Sequence, residues 1–484
     1  MKKDKPPLIE ALVNNHRLGT VPFHMPGHKK GRGIERRFAR LIHSIPLALD
    51  MTEIPGLDDL HNPTGPIDEA QARASCLFGA GKTFFLVNGS TVGLHAAILS
   101  VCGENQEILL PRDVHRSVIG ACILSGARPR YIKSRIHRKY FIPCPPTPEE
   151  VTGALNQYSV KAVLAVYPSY FGLAGNLSGI AKAAHHRGIP LIVDEAHGAH
   201  FTFSSKLPLT ALAAGADITV QSTHKTLGAF TQAAMLHINK DSMANQVEVA
   251  RQLQILQTTS PSYLLMSSLD AAVSHMQSSG SKLIDRTVEI AQRTSSRINN
   301  IPGLSCLGAD ECGHNGIEGY DPTKLYISVK DLGLTGFRVA GELLNKYRIQ
   351  VEMSDLYGIL CMVSIGSTAE DAGKLVAALR EIARGRLSKS IPEISGFFNP
   401  PDPRTVKSPR EAWFSPKETV SLQQSAGRIA AEIIAPYPPG IPLVCPGEEI
   451  TREIIDLIEY LRSLETPFHG PADPGLDSIT VLDE

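Results

Sequence analysis

Polar residues follow an apolar stretch at residues 84–87, where they could bind an anion. Asn88 and Gly89 are typical of a tight turn, and the hydroxyls of Ser90 and Thr91 stand at the start of a segment that is typical of a helix. A helix N-terminus has unpaired backbone N–H groups, so this segment could hold a phosphate group. The alternative is that the two hydroxyls only cap the helix.

An acidic residue stands directly after the apolar residues 190–193. Asp194 begins the sequence D-E-A-H, which ends at His197. A carboxylate at the end of a buried strand is costly unless it is paired, and it could hold a cationic ring nitrogen or a metal. The alternative is an Asp that caps the next turn. We do not expect a metal, because no further ligands follow at a familiar spacing.

A lysine follows the apolar residues 218–221. Lys225 comes after Ser222 and His224, which are residue types that bind anions. A single lysine is usually a solvated surface charge, but a lysine at a buried strand end can have a lowered pKa and form a Schiff base. His115 follows another apolar stretch and could either stack on a planar ring or begin a helix at the surface.

Together these side chains match the needs of one cofactor. Pyridoxal phosphate (PLP) requires a lysine for its aldehyde, a carboxylate for its pyridine nitrogen, and a helix N-terminus with hydroxyls for its phosphate. The sequence has them in the order phosphate loop, acid, lysine. It contains neither a Rossmann fingerprint nor a P-loop motif, so it does not favour a nucleotide.

The elements that must position these residues are alternating strands and helices. Short apolar runs between residues 80 and 240 alternate with segments that carry helix signals, such as T-P-E-E at 147–150. This alternation predicts a mainly parallel sheet, and such sheets bind ligands at the carboxyl ends of their strands. The predicted strands are 83–87, 107–110, 162–167, 190–193, 218–221 and 233–238.

The composition excludes several classes of protein. The chain has 484 residues, of which 43% are hydrophobic, so a mostly disordered chain is excluded. Lys and Arg number 48 and Asp and Glu number 48, and this balance argues against nucleic acid or a membrane surface as a partner. We expect no transmembrane helix and no signal peptide. The eight scattered cysteines favour a reducing, cytoplasmic location.

Several motifs across nearly the whole chain resemble those of the Orn/Lys/Arg decarboxylases, which belong to the aspartate-aminotransferase-like PLP enzymes of fold type I. The motifs are H-M-P-G-H-K-K-G at 24–31, L-D-D-L-H at 57–61, N-G-S-T at 88–91, D-E-A-H-G at 194–198, S-T-H-K at 222–225, T-T-S-P-S-Y at 258–263 and P-Y-P-P-G-I-P at 436–442. The resemblance implies an α/β fold with a mainly parallel, seven-stranded-type sheet and smaller C-terminal α/β domains. It is closest to the short form of the family, which lacks the N-terminal wing domain of longer members.

The resemblance also implies a role for each site residue. Lys225 would hold PLP as a Schiff base, Asp194 would pair with the pyridinium nitrogen, and His115 would stack on the ring. His197 would lie near the ring hydroxyl or the substrate carboxylate. The residues that would hold the phosphate are Ser90, Thr91, Ser222, His224 and, from a neighbouring subunit, Ser260. Active sites would therefore lie at the interface of a homodimer or a higher homo-oligomer.

The reaction implied by the resemblance is the decarboxylation of a basic amino acid. We expect arginine to be converted to agmatine and carbon dioxide, as in polyamine biosynthesis, with lysine or ornithine as alternative substrates. A basic substrate requires acids in its pocket, and each candidate could instead be a solvated or capping acid. The candidates are Asp58, Asp59, Glu352 and Asp355.

Two other functions remain open at this stage. An α-oxoamine synthase or aminotransferase shares the D-E-A-H sequence and a strand-end lysine. A catalytically idle PLP-binding regulatory protein is the other, although such a protein would not need Asp194, Lys225 and His115 together.

The chain is expected to comprise five segments. In order they are an N-terminal segment that contributes to the active site and the dimer, a large PLP-binding domain, a small α/β domain, a linker rich in Pro and Ser, and a C-terminal domain. Their predicted bounds are 1–80, 81–300, 301–385, 386–416 and 417–484.

Overall fold

A computed structural model describes residues 5–18, 40, 44–386, 402–437, 441–464 and 466–483. The helices are α1 (Pro7–Arg17), α2 (Ser44–Leu49), α3 (Pro66–Phe78), α4 (Gly89–Val101), α5 (Arg116–Ser125), α6 (Pro148–Gln157), α7 (Leu177–His185), α8 (Thr223–Thr226), α9 (Gln246–Leu256), α10 (Tyr263–Asn299), α11 (Gly336–Tyr347), α12 (Ala369–Ala383), α13 (Pro409–Phe414) and α14 (Arg452–Ser463).

The strands alternate with these helices over much of the chain. They are β1 (Lys82–Leu86), β2 (Glu107–Pro111), β3 (Arg128–Ile132), β4 (Arg135–Ile136), β5 (Pro143–Cys144), β6 (Val160–Val166), β7 (Leu173–Ala174), β8 (Leu191–Asp194), β9 (Ile218–Gln221), β10 (Ala234–Ile238), β11 (Ser305–Cys306), β12 (Gly319–Tyr320), β13 (Lys324–Ser328), β14 (Met353–Ser354), β15 (Gly358–Met362), β16 (Lys417–Ser421), β17 (Ala435–Pro436), β18 (Phe468–His469) and β19 (Ser478–Leu482).

The chain forms two compact units, and each combines segments that are distant in the sequence. The first unit comprises the described residues among 1–100, 192–205 and 209–284. The second comprises those among 101–191, 206–208 and 285–484. The domain bounds expected from the sequence are not tested by this division and stay a prediction.

The first unit is built on strands that are buried along their whole length. β8 pairs with β9 in parallel, whereas β10 is antiparallel to both of its neighbours, β9 and β1. Every residue of β8, β9 and β10 is buried, as continuous apolar runs predict for strands covered on both faces. The reversal of β10 fits its short connection to β9, because a parallel pair needs a longer crossover, usually through a helix of several turns.

The second unit contains three parallel strands and several hydrophobic cores, of which two are described here. β2 pairs in parallel with both β3 and β6. The strands β11, β13, β15 and β14 form an antiparallel sheet, and its buried side chains form one core with those of α11 and α12. A separate core joins α14 to the strand pair β16 and β19.

In the second unit, hydrogen bonds to residues distant in sequence anchor α5 near both of its ends. Arg112 lies between β2 and α5, and its Nη2 donates to Glu448 Oε2 at 2.8 Å and to the carbonyl of Leu443 at 3.0 Å. At the other end, Arg410 of α13 donates from Nη1 to the carbonyls of Ile123 and Leu124 at 3.0 and 2.8 Å. The predicted linker 386–416 thus contains a packed helix, while residues 387–401 lie outside the described part of the chain.

Two further properties concern the helices and the cysteines. Within the described ranges, no helix is both long enough and apolar enough to cross a membrane. All eight cysteines are described, and each is a free thiol.

Candidate active site

The site begins with two parallel strands that end side by side in the first unit. β8 and β9 are neighbours, with Asp194 in register with Val220. Asp194 therefore leaves the sheet at the same edge as Ser222, which follows β9 directly. This is the carboxyl edge, where α/β sheets bind ligands.

The glycine turn brings the N-terminus of α4 to this edge. Gly89 has a φ of +69°, a conformation that glycine adopts without steric cost, and it begins the helix. Ser222 Oγ then donates to Ser90 Oγ at 2.9 Å, which joins the end of β9 to the first turn of α4. Thr91 lies beside Ser90 in the same turn and is half-buried. The hydroxyls and unpaired N–H groups of this turn form a potential anion site.

Close packing of α4 on the sheet fixes the position of that turn. A Cβ placed on Gly93 would lie 2.6 Å from Leu86 Cδ1 and 2.8 Å from Val220 Cγ1. Such distances are too short for non-bonded carbon atoms, so only glycine lets the helix approach the strands this closely.

The lysine and the D-E-A-H histidine are in direct contact. Lys225 Nζ lies 3.0 Å from His197 Nε2, within hydrogen-bonding distance. His197 is buried, with 7% of its surface exposed, whereas Lys225 is half-buried at the end of the short helix α8. Because an ammonium group can only donate, His197 Nε2 would be the acceptor when Lys225 is charged.

His224 has a defined hydrogen bond at one ring nitrogen. Its Nδ1 lies 2.9 Å from the carbonyl of Ala233, which can only accept, so Nδ1 carries a proton. Burial, with a smaller effect from nearby Lys225, lowers the pKa of His224, although the bond to Ala233 opposes this shift. His224 Nε2 could therefore donate to a phosphate only from a protonated ring, and a bound dianion would favour that form.

The carboxylate of Asp194 accepts few hydrogen bonds from the backbone. The side chain is 6% exposed, and its Oδ1 accepts one backbone N–H, that of Ala196, at 3.1 Å. Glu195 is fully buried instead, where it accepts hydrogen bonds from Gln221 and from the N–H of Ala211. Asp194 thus retains acceptor capacity for a cationic group.

His115 belongs to the second unit, where it caps α5. Its Nδ1 accepts the N–H of Ser117 at 3.2 Å and lies 2.8 Å from the hydroxyl of the same residue. The helix start expected for this segment is therefore present, with His115 as the residue before α5. The stacking role of His115 stays a prediction.

Two of the four candidate substrate acids lie before α3 in the first unit. Asp58 has a φ of +79°, and its carboxylate accepts the N–H groups of Asp59, Thr64, Gly65, Ile67 and Asp68. Burial acts to raise the pKa of Asp58, but these hydrogen bonds outweigh it and lower the pKa. Asp59 is exposed and accepts the N–H of His61.

The other two candidate acids lie in the second unit. Asp355 accepts hydrogen bonds from the hydroxyl of Tyr326 and from the N–H groups of Tyr357 and Gly358. Burial raises the pKa of Asp355 to about 6, although these hydrogen bonds oppose the shift. Glu352 is exposed and accepts the hydroxyl of Tyr170 at 2.6 Å.

Two motifs of the resemblance meet in the first unit. His61, which ends L-D-D-L-H, places its Nε2 2.9 Å from the carbonyl of Thr258 in T-T-S-P-S-Y. Ser260 is exposed in this loop, where its N–H donates to Thr258 Oγ1. A role for Ser260 toward a neighbouring subunit stays a prediction. The motif at 24–31 and residues 438–440 of the P-Y-P-P-G-I-P motif lie outside the described residues.

The first unit offers the chemical groups that PLP requires. It holds an amine, a carboxylate on the adjacent strand end, and hydroxyls at a helix N-terminus, while the buried Thr223 Oγ1 has no hydrogen-bond partner among the described residues. Buried polar groups are nearly always paired, so this hydroxyl could still form a hydrogen bond to a bound group. These groups fit the cofactor.

The sequence analysis did not single out Gln221. A polar residue in an otherwise mostly apolar, buried strand is nevertheless a signal that could have been detected.

Comparisons with solved structures show the same fold. The structure of Francisella novicida lysine decarboxylase LdcF matches with a TM-score of 0.85 and 22% identity, covering 99% of this chain and 82% of that one. Lysine decarboxylase A from Pseudomonas aeruginosa gives 0.86 and 23%, covering 99% and 80%. A Bacillus subtilis ureidoglycine-glyoxylate aminotransferase matches more distantly, with a TM-score of 0.55 and 15% identity over 75% of this chain and 93% of that one. The fold is thus that of the fold-type-I enzymes, and the predicted fold class is confirmed.

The sequence comparisons identify the family. The family model described as Orn/Lys/Arg decarboxylase, major domain, matches residues 6–371, and the one for its C-terminal domain matches residues 396–478. Arginine decarboxylase of Bacillus anthracis is 41% identical over 99% of this chain and 97% of its own length. Arginine decarboxylase of Bacillus subtilis is 40% identical over 100% and 99%. The chain belongs to the Orn/Lys/Arg decarboxylase family and is a PLP-dependent amino-acid decarboxylase with a basic substrate, as the sequence predicted.

Proposed function

We propose that this enzyme decarboxylates arginine to agmatine and carbon dioxide. The observation that carries the choice of substrate is the difference between two groups of relatives. Four relatives named arginine decarboxylase are 40–41% identical over 92–100% of this chain. The lysine decarboxylases of Pseudomonas aeruginosa and Escherichia coli are 27% and 25% identical, and the chain covers 77% and 81% of their lengths.

In this proposal Lys225, Asp194 and the α4 turn hold the cofactor. Lys225 binds the PLP aldehyde and releases it to the substrate amine. Asp194 keeps the pyridine nitrogen protonated, because a nearby negative charge raises the pKa of that nitrogen. Phosphate binding falls to the hydroxyls of Ser90, Thr91 and Ser222 and to a protonated His224. When bound, PLP supplies an electron sink for the electron pair that remains when carbon dioxide leaves.

The same residues can deliver the proton that completes the reaction. The α-carbon gains one proton in place of the lost carboxylate, and a group at its site must supply it. Lys225 Nζ is the proposed donor, and the contact of 3.0 Å to His197 Nε2 gives it a route for exchanging protons. The ring of His115 is proposed to limit the cofactor's motion by stacking.

We also propose how the enzyme is assembled and located. A homodimer with Ser260 reaching the neighbouring site is the minimum assembly, and the exposure of residues 258–260 in the T-T-S-P-S-Y motif supports it. A cytoplasmic location is supported by the eight free thiols.

One product assay tests the substrate and the role of Lys225. The PLP-loaded enzyme is given arginine, lysine or ornithine without acyl-CoA or keto acid, and the amine and carbon dioxide are measured. We expect agmatine to form with the highest kcat/KM. Lys225→Ala should abolish both turnover and the borohydride-reducible bond to PLP, while Lys240→Ala, at an exposed lysine of the same unit, should keep both. Faster release of cadaverine or putrescine would overturn arginine as the substrate, and retained turnover in Lys225→Ala would overturn the site.

A further inference from the structure

A row of buried polar side chains crosses the first unit's sheet next to the site. Thr83, His237 and Gln221 lie on β1, β10 and β9, and Glu195 follows β8. All four are at most 1% exposed. Polar groups at such depth are costly unless they are hydrogen-bonded, so their arrangement requires an explanation.

The hydrogen bonds of this row run in one direction. Gln221 Nε2 donates to Glu195 Oε2 at 2.7 Å, which leaves Gln221 Oε1 to accept from His237 Nε2 at 3.1 Å. His237 Nδ1 is then an acceptor for the hydroxyl of Thr83 at 2.8 Å. Every donor of the row points towards Glu195, whose Oε1 also accepts the N–H of Ala211 at 2.7 Å.

The end of this row lies one residue from the proposed cofactor ligands. Glu195 directly follows Asp194, and Gln221 directly precedes Ser222 and the segment that carries Lys225. The side-chain bond between Glu195 and Gln221 supplements the backbone bond from the N–H of Glu195 to the carbonyl of Val220, which is 2.9 Å long. The two strand ends are thus joined at the point where both leave the sheet.

We propose that Glu195 and Gln221 are positioning residues, which fix the separation of Asp194 and Lys225 by bonding the ends of β8 and β9 to each other. This inference rests on the proposed function of Asp194 and Lys225. Neither residue is assigned contact with the substrate. A buried polar pair is weak evidence for a role in fold stability, because well-packed apolar side chains are often as stabilising at such a position.

The carboxylate form of Glu195, which accepts both hydrogen bonds, dominates only above about pH 8, so the variants below are compared at pH 9. Burial raises the pKa of Glu195 to about 8, against the hydrogen bonds from Gln221 and Ala211. Burial also lowers the pKa of His237 to about 3, so this ring is neutral near pH 7 and needs the single-proton arrangement described above.

Glu195→Gln is the first variant of the test. The new amide has the same shape, but one of its oxygens becomes an N–H₂ group. This group meets the N–H₂ group of Gln221 unless Gln221 and His237 both reverse their donor and acceptor roles, and that reversal takes away the acceptor of the Thr83 hydroxyl. In either arrangement one donor of the row loses its acceptor, and we expect about tenfold weaker retention of PLP in equilibrium dialysis. The visible absorption band of the bound cofactor should shift, as should the pH midpoint at which that band changes.

The double variant Glu195→Gln/Gln221→Glu distinguishes the effect of the hydrogen bonds between the two strand ends from the effect of a charge at position 195. Gln at 195 would accept the N–H of Ala211 and donate to the new carboxylate at 221, which could still accept from His237. Every hydrogen bond of the row is restored with the charge moved by one side chain. We expect PLP retention and the absorption band to return close to those of the parent enzyme.

Asp270→Asn is the control. Asp270 is another fully buried carboxylate of the first unit, and it accepts the N–H groups of Leu8 and Ile9 at 3.0 and 3.2 Å. Its substitution should lower the thermal midpoint without moving the absorption band.

The outcomes distinguish this inference from the proposed function. If the parent enzyme does not bind PLP, the proposed function itself is contradicted. Unchanged retention and spectrum in Glu195→Gln would overturn only the positioning role. The positioning role would also be overturned if the double variant folds but does not recover PLP retention and the absorption band. It would be overturned as well if both variants fail to fold while Asp270→Asn folds, because Glu195 would then serve fold stability alone.

Discussion

Asp194 ends a strand of the first unit and Asp58 lies in the loop before α3, and the backbone donates very different numbers of hydrogen bonds to these two acids. Asp58 accepts five backbone N–H groups, whereas Asp194 accepts one. Asp355, in the second unit, resembles Asp58, because a tyrosine hydroxyl and two N–H groups occupy it. A carboxylate that the fold already satisfies stabilises a turn or a helix, while one with spare acceptor capacity can hold a cation.

This difference separates the four candidate substrate acids. Asp58 and Asp355 are bound by the fold around them, which favours the capping alternative for both. Asp59 and Glu352 are exposed and accept one hydrogen bond each, from His61 and Tyr170. Assignment of a substrate role to any of the four stays a prediction, and substitutions can sharpen the comparison.

The largest effect is expected at Asp194. Asp194→Asn removes the negative charge while keeping the shape and the acceptor for Ala196, so the ring nitrogen of PLP would lose its proton. We expect kcat to fall by about 10²–10³-fold, as for loss of a preorganised charge partner, with little change in thermal midpoint. Steady-state kinetics and thermal unfolding measure the two quantities. A kcat close to that of the parent enzyme would remove the distinction between Asp194 and Asp58.

Asp58→Asn should show the opposite pattern. The substitution turns one acceptor oxygen into an N–H₂ group facing backbone N–H groups at the start of α3, and loss of such a cap costs about 1–2 kcal/mol. We expect a lower thermal midpoint and an unchanged KM for arginine. Asp59→Asn is the matched control, since Asp59 accepts only one N–H described here. A steep rise in KM with an unchanged midpoint would identify Asp58 as a substrate acid instead.

The smallest effect is expected from Asp355 and depends on pH. Its folded-state pKa of about 6 lies above the value of about 3.9 of an unfolded chain. The unfolded state therefore binds fewer protons than the folded state between these values, so the contribution of Asp355 to stability is complete below pH 4 and is lost as the pH rises through 6. Asp355→Asn should flatten the decline of the thermal midpoint between pH 4.5 and about 7.

Asp371→Asn provides a contrast for that experiment. A hydrogen bond from Thr368 lowers the pKa of Asp371, so its contribution is lost as the pH falls and this substitution should not change the slope above pH 4.5. An equal slope in the parent enzyme and Asp355→Asn would show that the buried carboxyl does not titrate in this range.

The sequence predicted the strands that carry the site with errors of two residues or fewer. The reason is physical: β8, β9 and β10 are fully buried, so each appears as a short, mostly apolar segment. The T-P-E-E signal at 147–150 likewise marks a helix whose Thr147 and Glu150 form a capping box. In contrast, β3 was not predicted, because two arginines and a proline interrupt its apolar pattern.

What the sequence could not predict depends on pairing across strands. Glu195 and Gln221 are 26 residues apart, and Gln221 and His237 are 16 apart, so only the register of the sheet brings their side chains together. The antiparallel direction of β10 is also a property of the pairing and not of its apolar pattern. The same limit applies to Asp58, whose five backbone donors come together only in the folded turn before α3.

The hydrogen bonds of Arg112 and Arg410 near the two ends of α5 also affect the residue that caps this helix, His115. His115 is the N-cap of α5, a helix that Glu448 anchors before its start through Arg112 and that Arg410 anchors at its end. Glu448 and Arg410, which both lie after residue 402, therefore brace this helix. A chain trimmed before residue 402 would keep every proposed PLP ligand and still lose the hydrogen bonds that anchor the helix capped by His115.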